Sequence, residues 1–335
     1  MMPNYPAPHL NRLPIMIICP VESCNCRCRM CGYWSREATA NLTLDQVESI
    51  AVEAGELGVV HVVFSGGEPL LHPDIINMCS VFKQYGTYVT VLTNGLLLEK
   101  WAGQLSSVCD EIIVSLDGPR EIHDEIRRVT GGYERIAKGI ETIRSQTDTI
   151  KISGRCTVQK RNIRQLCRTV DAAKELGLEK ISFLAVSDDR SQFWQQAQPG
   201  EPEDLIPDIQ DIVDLDDELN VLAKDYADDY KSSFIAETPE KHKRRLHQYF
   251  LGLHGLDDFS PTYCNAPWFS AIIESNGDIR TCFFTEVVGN YFSDGGLKKV
   301  INSDKAINLR NSISGKMINQ CNKCVSTLNY KETHN

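Results

Sequence analysis

From about residue 13 to residue 187 the chain alternates between short β-rich runs and amphipathic stretches of helical period. The β-rich runs are residues 15–19, 59–64, 88–93, 111–116, 151–158 and 180–186. Strands that alternate with helices predict a parallel sheet with helices outside it. Six such units, with no seventh or eighth in the same pattern, predict an α/β fold of the partial (β/α)6, TIM-like barrel type. The local signals agree. Thr43 with Gln46 three residues later spells a capping box, and Val47, Ile50 and Ala54 share one face of the helix that follows. A second helix is expected over about 161–176, stopped by Gly177. In folds of this kind chemistry gathers at the C-terminal ends of the strands.

Three cysteines follow the first strand directly. Cys24, Cys28 and Cys31 have the spacing C-x3-C-x2-C. A cubane iron–sulfur cluster has four irons to ligate, so three thiolates leave one iron open to a chelating small molecule. Structural zinc takes four ligands in paired sets, and no fourth ligand stands at zinc-ribbon spacing here. Cys19 and Cys26 read as buried or spare thiols.

After the sixth strand the pattern breaks. Residues 188–262 are acidic and helical, with a Pro199-Gly200-Glu201-Pro202 turn and a basic run over 241–245. They read as a solvated linker or as a lid. Residues 263–325 form a last module. Asn276-Gly277 between two β-rich runs signals a hairpin, and Cys264, Cys282, Cys321 and Cys324 frame it. A hairpin plus a helix has little core of its own, so a metal staple would help it fold. Four thiolates suit a fully ligated iron–sulfur cluster, and they suit zinc as well.

Composition limits the rest. A net charge of −10 over 335 residues argues against broad nucleic-acid binding. No signal peptide is visible, and the apolar run at 13–19 is too short to span a bilayer. The expectation is a cytoplasmic protein without membrane contact, in which clustered cysteines mean metal rather than disulfides.

Further motifs stand at strand ends. Ser65-Gly66-Gly67-Glu68-Pro69 follows the second, Thr93-Asn94-Gly95 the third, and Ser115-Leu116-Asp117-Gly118-Pro119 the fourth. The glycine pair allows close approach of backbone to a ligand. Hydroxyl and carboxylate groups at the other two ends suit a ribose or an ammonium group, and both ends also read as ordinary turns. Arg127 reads as a carboxylate clamp or a solvated helix residue, and His123 as a packing residue. Arg155 and Thr157 should share one face of the fifth strand, with Cys156 opposite.

Taken together, these residues resemble the radical S-adenosylmethionine (SAM) superfamily in its SPASM/Twitch branch. The resemblance implies a SAM-binding [4Fe–4S] cluster on Cys24, Cys28 and Cys31. It implies an auxiliary [4Fe–4S] cluster on Cys264, Cys282, Cys321 and Cys324, in a C-terminal Twitch module of hairpin plus helix. With no cysteine after Cys324, the shortened form with one auxiliary cluster is expected. Tyr33 would approach the adenine. Gly66, Gly67 and Glu68 would hold the methionyl amino end. Ser115 and Asp117 would contact the methionyl carboxylate or the ribose, and Arg127 the carboxylate. The implied activity is reductive cleavage of SAM followed by hydrogen-atom abstraction from a substrate carbon, with flavodoxin or ferredoxin as reductant.

The expected enzyme is of the oxidoreductase (dehydrogenase) type. It would oxidise, epimerise or decarboxylate a small molecule: a sugar, aminocyclitol or nucleoside of natural-product biosynthesis. Epimerisation would need a thiol donor, for which Cys109 and Cys156 are candidates. The alternatives are a peptide-modifying enzyme and a non-catalytic electron carrier. Peptide-modifying relatives often carry a leader-binding domain, and only about a dozen residues precede the first strand here.

Overall fold

The computed structural model describes residues 5–35, 40–188, 205–259, 263–314 and 319–331. The Pro199–Pro202 turn lies outside the described residues. The chain is mixed α/β, and it divides into two compact units, Met1–Ser23 with Glu37–Val91 and Pro261–Asn335, and Cys24–Arg36 with Leu92–Ser260.

In the first unit, β1 (Ile15–Ile18) pairs in parallel with β2 (His61–Phe64), and β2 pairs in parallel with β3 (Tyr88–Thr93). Met16, Ile18, Val62 and Phe64 are fully buried on one face. Each such side chain stabilises the fold by about 1.5–3 kcal/mol. Helices α1 (Leu44–Glu56) and α2 (Ile75–Gln84) pack against each other. The Thr43–Gln46 capping box forms at the start of α1 as the sequence predicts.

The late hairpin is not a free-standing piece. Its strands β7 (Ser270–Ile273) and β8 (Asp278–Arg280) are antiparallel, with Gly277 at φ +88°, and β8 adds a short β9 (Gly289–Asn290). On its other edge β7 pairs in parallel with β1. That is why all four residues of β7 are buried, Ser270 and Ala271 included. Glu53 of α1 also reaches this module: its carboxylate accepts from Tyr291 Oη (2.8 Å) and from Leu297 N (2.7 Å). Arg310 is fully buried and donates to the carbonyls of Pro8, Pro267 and Ile301.

In the second unit, β4 (Glu111–Ser115), β5 (Lys151–Val158) and β6 (Lys180–Ala185) are parallel neighbours. Helix α3 (Leu98–Val108) leads into β4, α4 (Arg120–Arg127) and α5 (Gly132–Arg144) join β4 to β5, and α6 (Leu166–Glu175) joins β5 to β6. Helix α6 begins later than the periodicity predicts. Asn162 folds back on Gln159, its Oδ1 accepting from Gln159 N at 2.7 Å, and Gln165 N bonds to Asn162 O. Residues 161–165 are therefore a turn. The acidic segment contains a long helix, α7 (Ile209–Asp225), whose carboxylates take up the cations at the head of α6: Arg164 meets Asp211 and Asp214, and Lys160 meets Asp208. Beyond α7, Ile235 bridges to Ile181 of β6. Among the described residues no helix is long and apolar enough to cross a membrane.

Candidate functional site

In the second unit the cysteine segment lies on the C-terminal end of α4. Arg27 N donates to Arg127 O (3.4 Å) and Arg29 N to Ile126 O (3.1 Å). Carbonyls left over at a helix end are ready acceptors for such a loop. The thiol of Cys26 stands between those of Cys24 and Cys28 and hydrogen-bonds to both, which pushes Cys26 far up. Cys28 falls to about 6, first through that bond and then through the nearby Arg127 guanidinium, against the effect of burial. Cys31 is pushed up to about 12, chiefly by burial. Two donors point at sulfur: Arg127 Nη1 at Cys28 Sγ (3.6 Å) and Asn94 Nδ2 at Cys24 Sγ (3.8 Å). Asn94 Nδ2 also bonds Asn25 Oδ1 (2.6 Å), which ties the strand-three end to the cysteine segment.

Asp117 is the centre of the polar network. It is fully buried. One carboxylate oxygen accepts from Arg127 Nε at 2.6 Å and the other from Thr157 N at 2.8 Å. Its carbonyl accepts from Asn162 Nδ2 (2.9 Å), and its own N–H donates to His123 Nδ1 (3.2 Å). Burial alone would lower the Arg127 guanidinium, but Asp117 and Cys28 outweigh it and hold it raised. So Asp117 fixes Arg127, and Arg127 fixes the sulfur of Cys28. The sequence marks Asp117 and Arg127 as ligand contacts; the structure shows them bonded to each other. Asn162 carries no signal in the sequence beyond a loop asparagine, yet it also donates to Thr157 O at 3.0 Å. Tyr33 starts a short 3-10 turn, and Ser115 ends β4.

His123 gives this network a pH signature. Burial, with Arg127 second, lowers its imidazole to about 4. An unfolded histidine takes up its proton near pH 6.5. Between those values the unfolded state binds more protons, so stability is complete above about 6.5 and falls with acid, by about 3 kcal/mol in all. Thermal melts between about pH 7 and pH 4 should show this loss. In His123→Asn, which keeps an acceptor near the Asp117 N–H, the acid slope should flatten. An unaltered slope would assign the loss to other groups.

In the first unit the Gly66-Gly67-Glu68 turn is held against residues 21–23. Gly67 N donates to Val21 O (3.1 Å) and Glu68 N to Ser23 O (2.9 Å). Gly66 has φ +105°. The buried Glu68 carboxylate caps the next turn at Leu70 N. The late cysteines belong to this unit too. Cys282 is raised by burial first and then by Cys324, Cys264 and Cys321, so the four thiols lie within electrostatic reach of one another. Leu328 N donates to Cys264 Sγ (3.4 Å), and Asn265 pins the tail by paired bonds with Tyr330.

A shared set of thiols with N–H donors on sulfur fits an iron–sulfur cluster, whose thiolates accept such bonds. Among the described residues no group of three or more His, Cys, Asp or Glu side chains would hold a single metal ion.

Comparison with known proteins agrees with the residues. The radical SAM superfamily matches residues 18–154, and the iron–sulfur cluster-binding domain SPASM matches residues 264–325. The chain belongs to the radical SAM superfamily, in its SPASM/Twitch branch. Its cofactors are accordingly S-adenosylmethionine and [4Fe–4S] clusters. The AdoMet-dependent heme synthase of Methanosarcina barkeri is 31% identical over 189 residues, 55% of this chain and 54% of that protein. The antilisterial bacteriocin subtilosin biosynthesis protein AlbA of Bacillus subtilis is 25% identical over 287 residues, 81% of this chain and 56% of its own. This radical SAM chain spans about half the length of the curated relatives it matches. Streptococcus suis SuiB bound to S-adenosylmethionine superposes with a TM-score of 0.68 at 20% identity, over 96% of this chain and 74% of that one. That likeness shows the fold, the partial TIM-like barrel with its C-terminal module.

Proposed function

We propose that this chain is a radical SAM enzyme whose first cluster is held by Cys24, Cys28 and Cys31. The observation that carries the reading is the relay Asp117–Arg127–Cys28, because a buried guanidinium on a cysteine sulfur suits a thiolate bound to iron. When bound, the cluster and SAM supply one electron and a 5′-deoxyadenosyl radical. The protein's part is to orient and shield. Arg127 holds the Cys28 sulfur and offers its remaining N–H groups to the methionyl carboxylate, Ser115 offers a hydroxyl, and Tyr33 is assigned to the adenine. Asp117 acts as the positioning residue for Arg127. Gly66, Gly67 and Glu68 are assigned to the methionyl amino end. Cys264, Cys282, Cys321 and Cys324 are assigned to an auxiliary [4Fe–4S] cluster. Four thiolates leave it no open iron, which suits it to accept an electron from a substrate radical and so to oxidation.

For the substrate we favour a peptide. A relative aligned over 81% of the chain is a bacteriocin biosynthesis protein. Neither of the relatives described above is named for a sugar or an aminocyclitol.

Anaerobic reconstitution tests the reading. About eight irons per chain are expected for two cubanes. SAM with dithionite should then yield 5′-deoxyadenosine, and Cys24→Ala should abolish it. About four irons, bound zinc, or no 5′-deoxyadenosine from the wild type would overturn it. A peptide encoded beside the gene should raise the yield above the peptide-free level.

A further inference from the structure

Arg155 carries a charge that the fold does not use. It lies in β5, with Ser115 of β4 as its partner on one side and Ser182 of β6 on the other. Strand alternation puts it on the face of Thr157, while Cys156 and Val158 are buried on the opposite face. Its Nε is buried without a hydrogen-bond partner, and among the described residues no carboxylate lies within ion-pair distance of the guanidinium. Glu111 and Glu237 act on it only from farther off, and burial lowers it against their pull. Both are engaged elsewhere: Glu111 accepts from Ser153 Oγ (2.9 Å), and Glu237 accepts from Phe183 N (3.1 Å) and faces His242 Nε2 (3.4 Å).

A guanidinium whose Nε is buried and unpartnered, with no counter-ion, is expensive. Arg127 of α4 shows how the same fold pairs a buried arginine with a counter-ion: a carboxylate sits 2.6 Å from its Nε. We propose that Arg155 is a specificity-determining residue that receives a carboxylate of the substrate. The planar fork of a guanidinium matches a carboxylate through two parallel hydrogen bonds. It also stays charged, so it selects anionic substrates over their neutral isosteres. The proposal deepens the enzyme reading given above, since it names a chemical class for that enzyme's substrate.

Arg155→Met is the test, with glutarate as carboxylate probe and glutaramide as its neutral counterpart. The variant should melt above the wild type by roughly 2–4 °C, because an apolar side chain replaces an unpartnered charge. Glutarate should raise the wild-type melting temperature and leave Arg155→Met unmoved, and glutaramide should raise neither. SAM affinity, measured anaerobically by calorimetry, should stay within about twofold. A variant that melts lower would make Arg155 structural. A tenfold loss of SAM affinity would show that the carboxylate it holds belongs to the cofactor. Equal response of both proteins to glutarate, or none in either, would remove the site. Each of these outcomes overturns the proposal. Wild type that makes no 5′-deoxyadenosine would remove the enzyme reading and leave the melting and glutarate results to be read on their own.

Discussion

Asp117→Ala is expected to lower the stability of the fold by about 3–5 kcal/mol, because it leaves the Arg127 guanidinium buried without its counter-ion. The two oxygens of Asp117 serve Arg127 Nε and Thr157 N, and both donors lose their acceptor together. A fall in melting temperature of roughly ten degrees should follow. Removing both charges separates this explanation from simple loss of packing. In Asp117→Leu combined with Arg127→Met, no orphaned charge remains, so the double variant should lose less stability than Asp117→Ala alone. If the double variant is the worse of the two, packing around the pair decides, and the electrostatic account fails. Cluster assembly gives a second readout. The Arg127 donor on Cys28 is lost in the double variant even where stability recovers, so iron incorporation should stay impaired there.

The parts of this chain that were legible in the sequence are those set by local chemistry. The capping box at Thr43 needs only two residues three apart, and the Asn276-Gly277 turn needs only a dipeptide. The strand runs were legible because a short apolar, β-branched run is written residue by residue. Pairing between distant segments was not. Nothing in Ser270–Ile273 announces β1 as its partner, since both segments read as apolar runs and the two are far apart in sequence. The same limit holds at the site. The triad spacing pointed to Cys24, Cys28 and Cys31, but the place of the Cys26 thiol between its neighbours depends on the turn of the loop. Asp117 read as a ligand contact because a carboxylate at a strand end can hold a ligand; its bonds to Arg127 and Thr157 come from residues 10 and 40 positions on. Asn162 had no signal because its value lies in what it reaches, not in its spacing.

The glycine pair is where a second large effect is expected, and for a reason the sequence did not give. A Cβ on Gly67 would fall 2.2 Å from Ser23 O and 2.5 Å from Glu22 O. Both obstacles are backbone atoms, so no rotamer change relieves them. The segment cannot simply move away, because Gly67 N–Val21 O and Glu68 N–Ser23 O bind the turn after β2 to the segment after β1. Gly67→Ala should therefore cost about 3 kcal/mol or more, at the top of the range for overpacking, and should displace residues 21–23, after which Cys24 follows directly in the chain. Gly86→Ala provides the reference. Gly86 has φ +69° and open space around it, so it meets only the left-handed backbone penalty of about 1–2 kcal/mol. Urea titration of the two variants compares the effects directly. If Gly67→Ala loses no more than Gly86→Ala, the turn is loose enough to take a side chain, and the glycine is there for a ligand alone. If it loses substantially more, close approach of the chain to itself already accounts for the glycine at position 67.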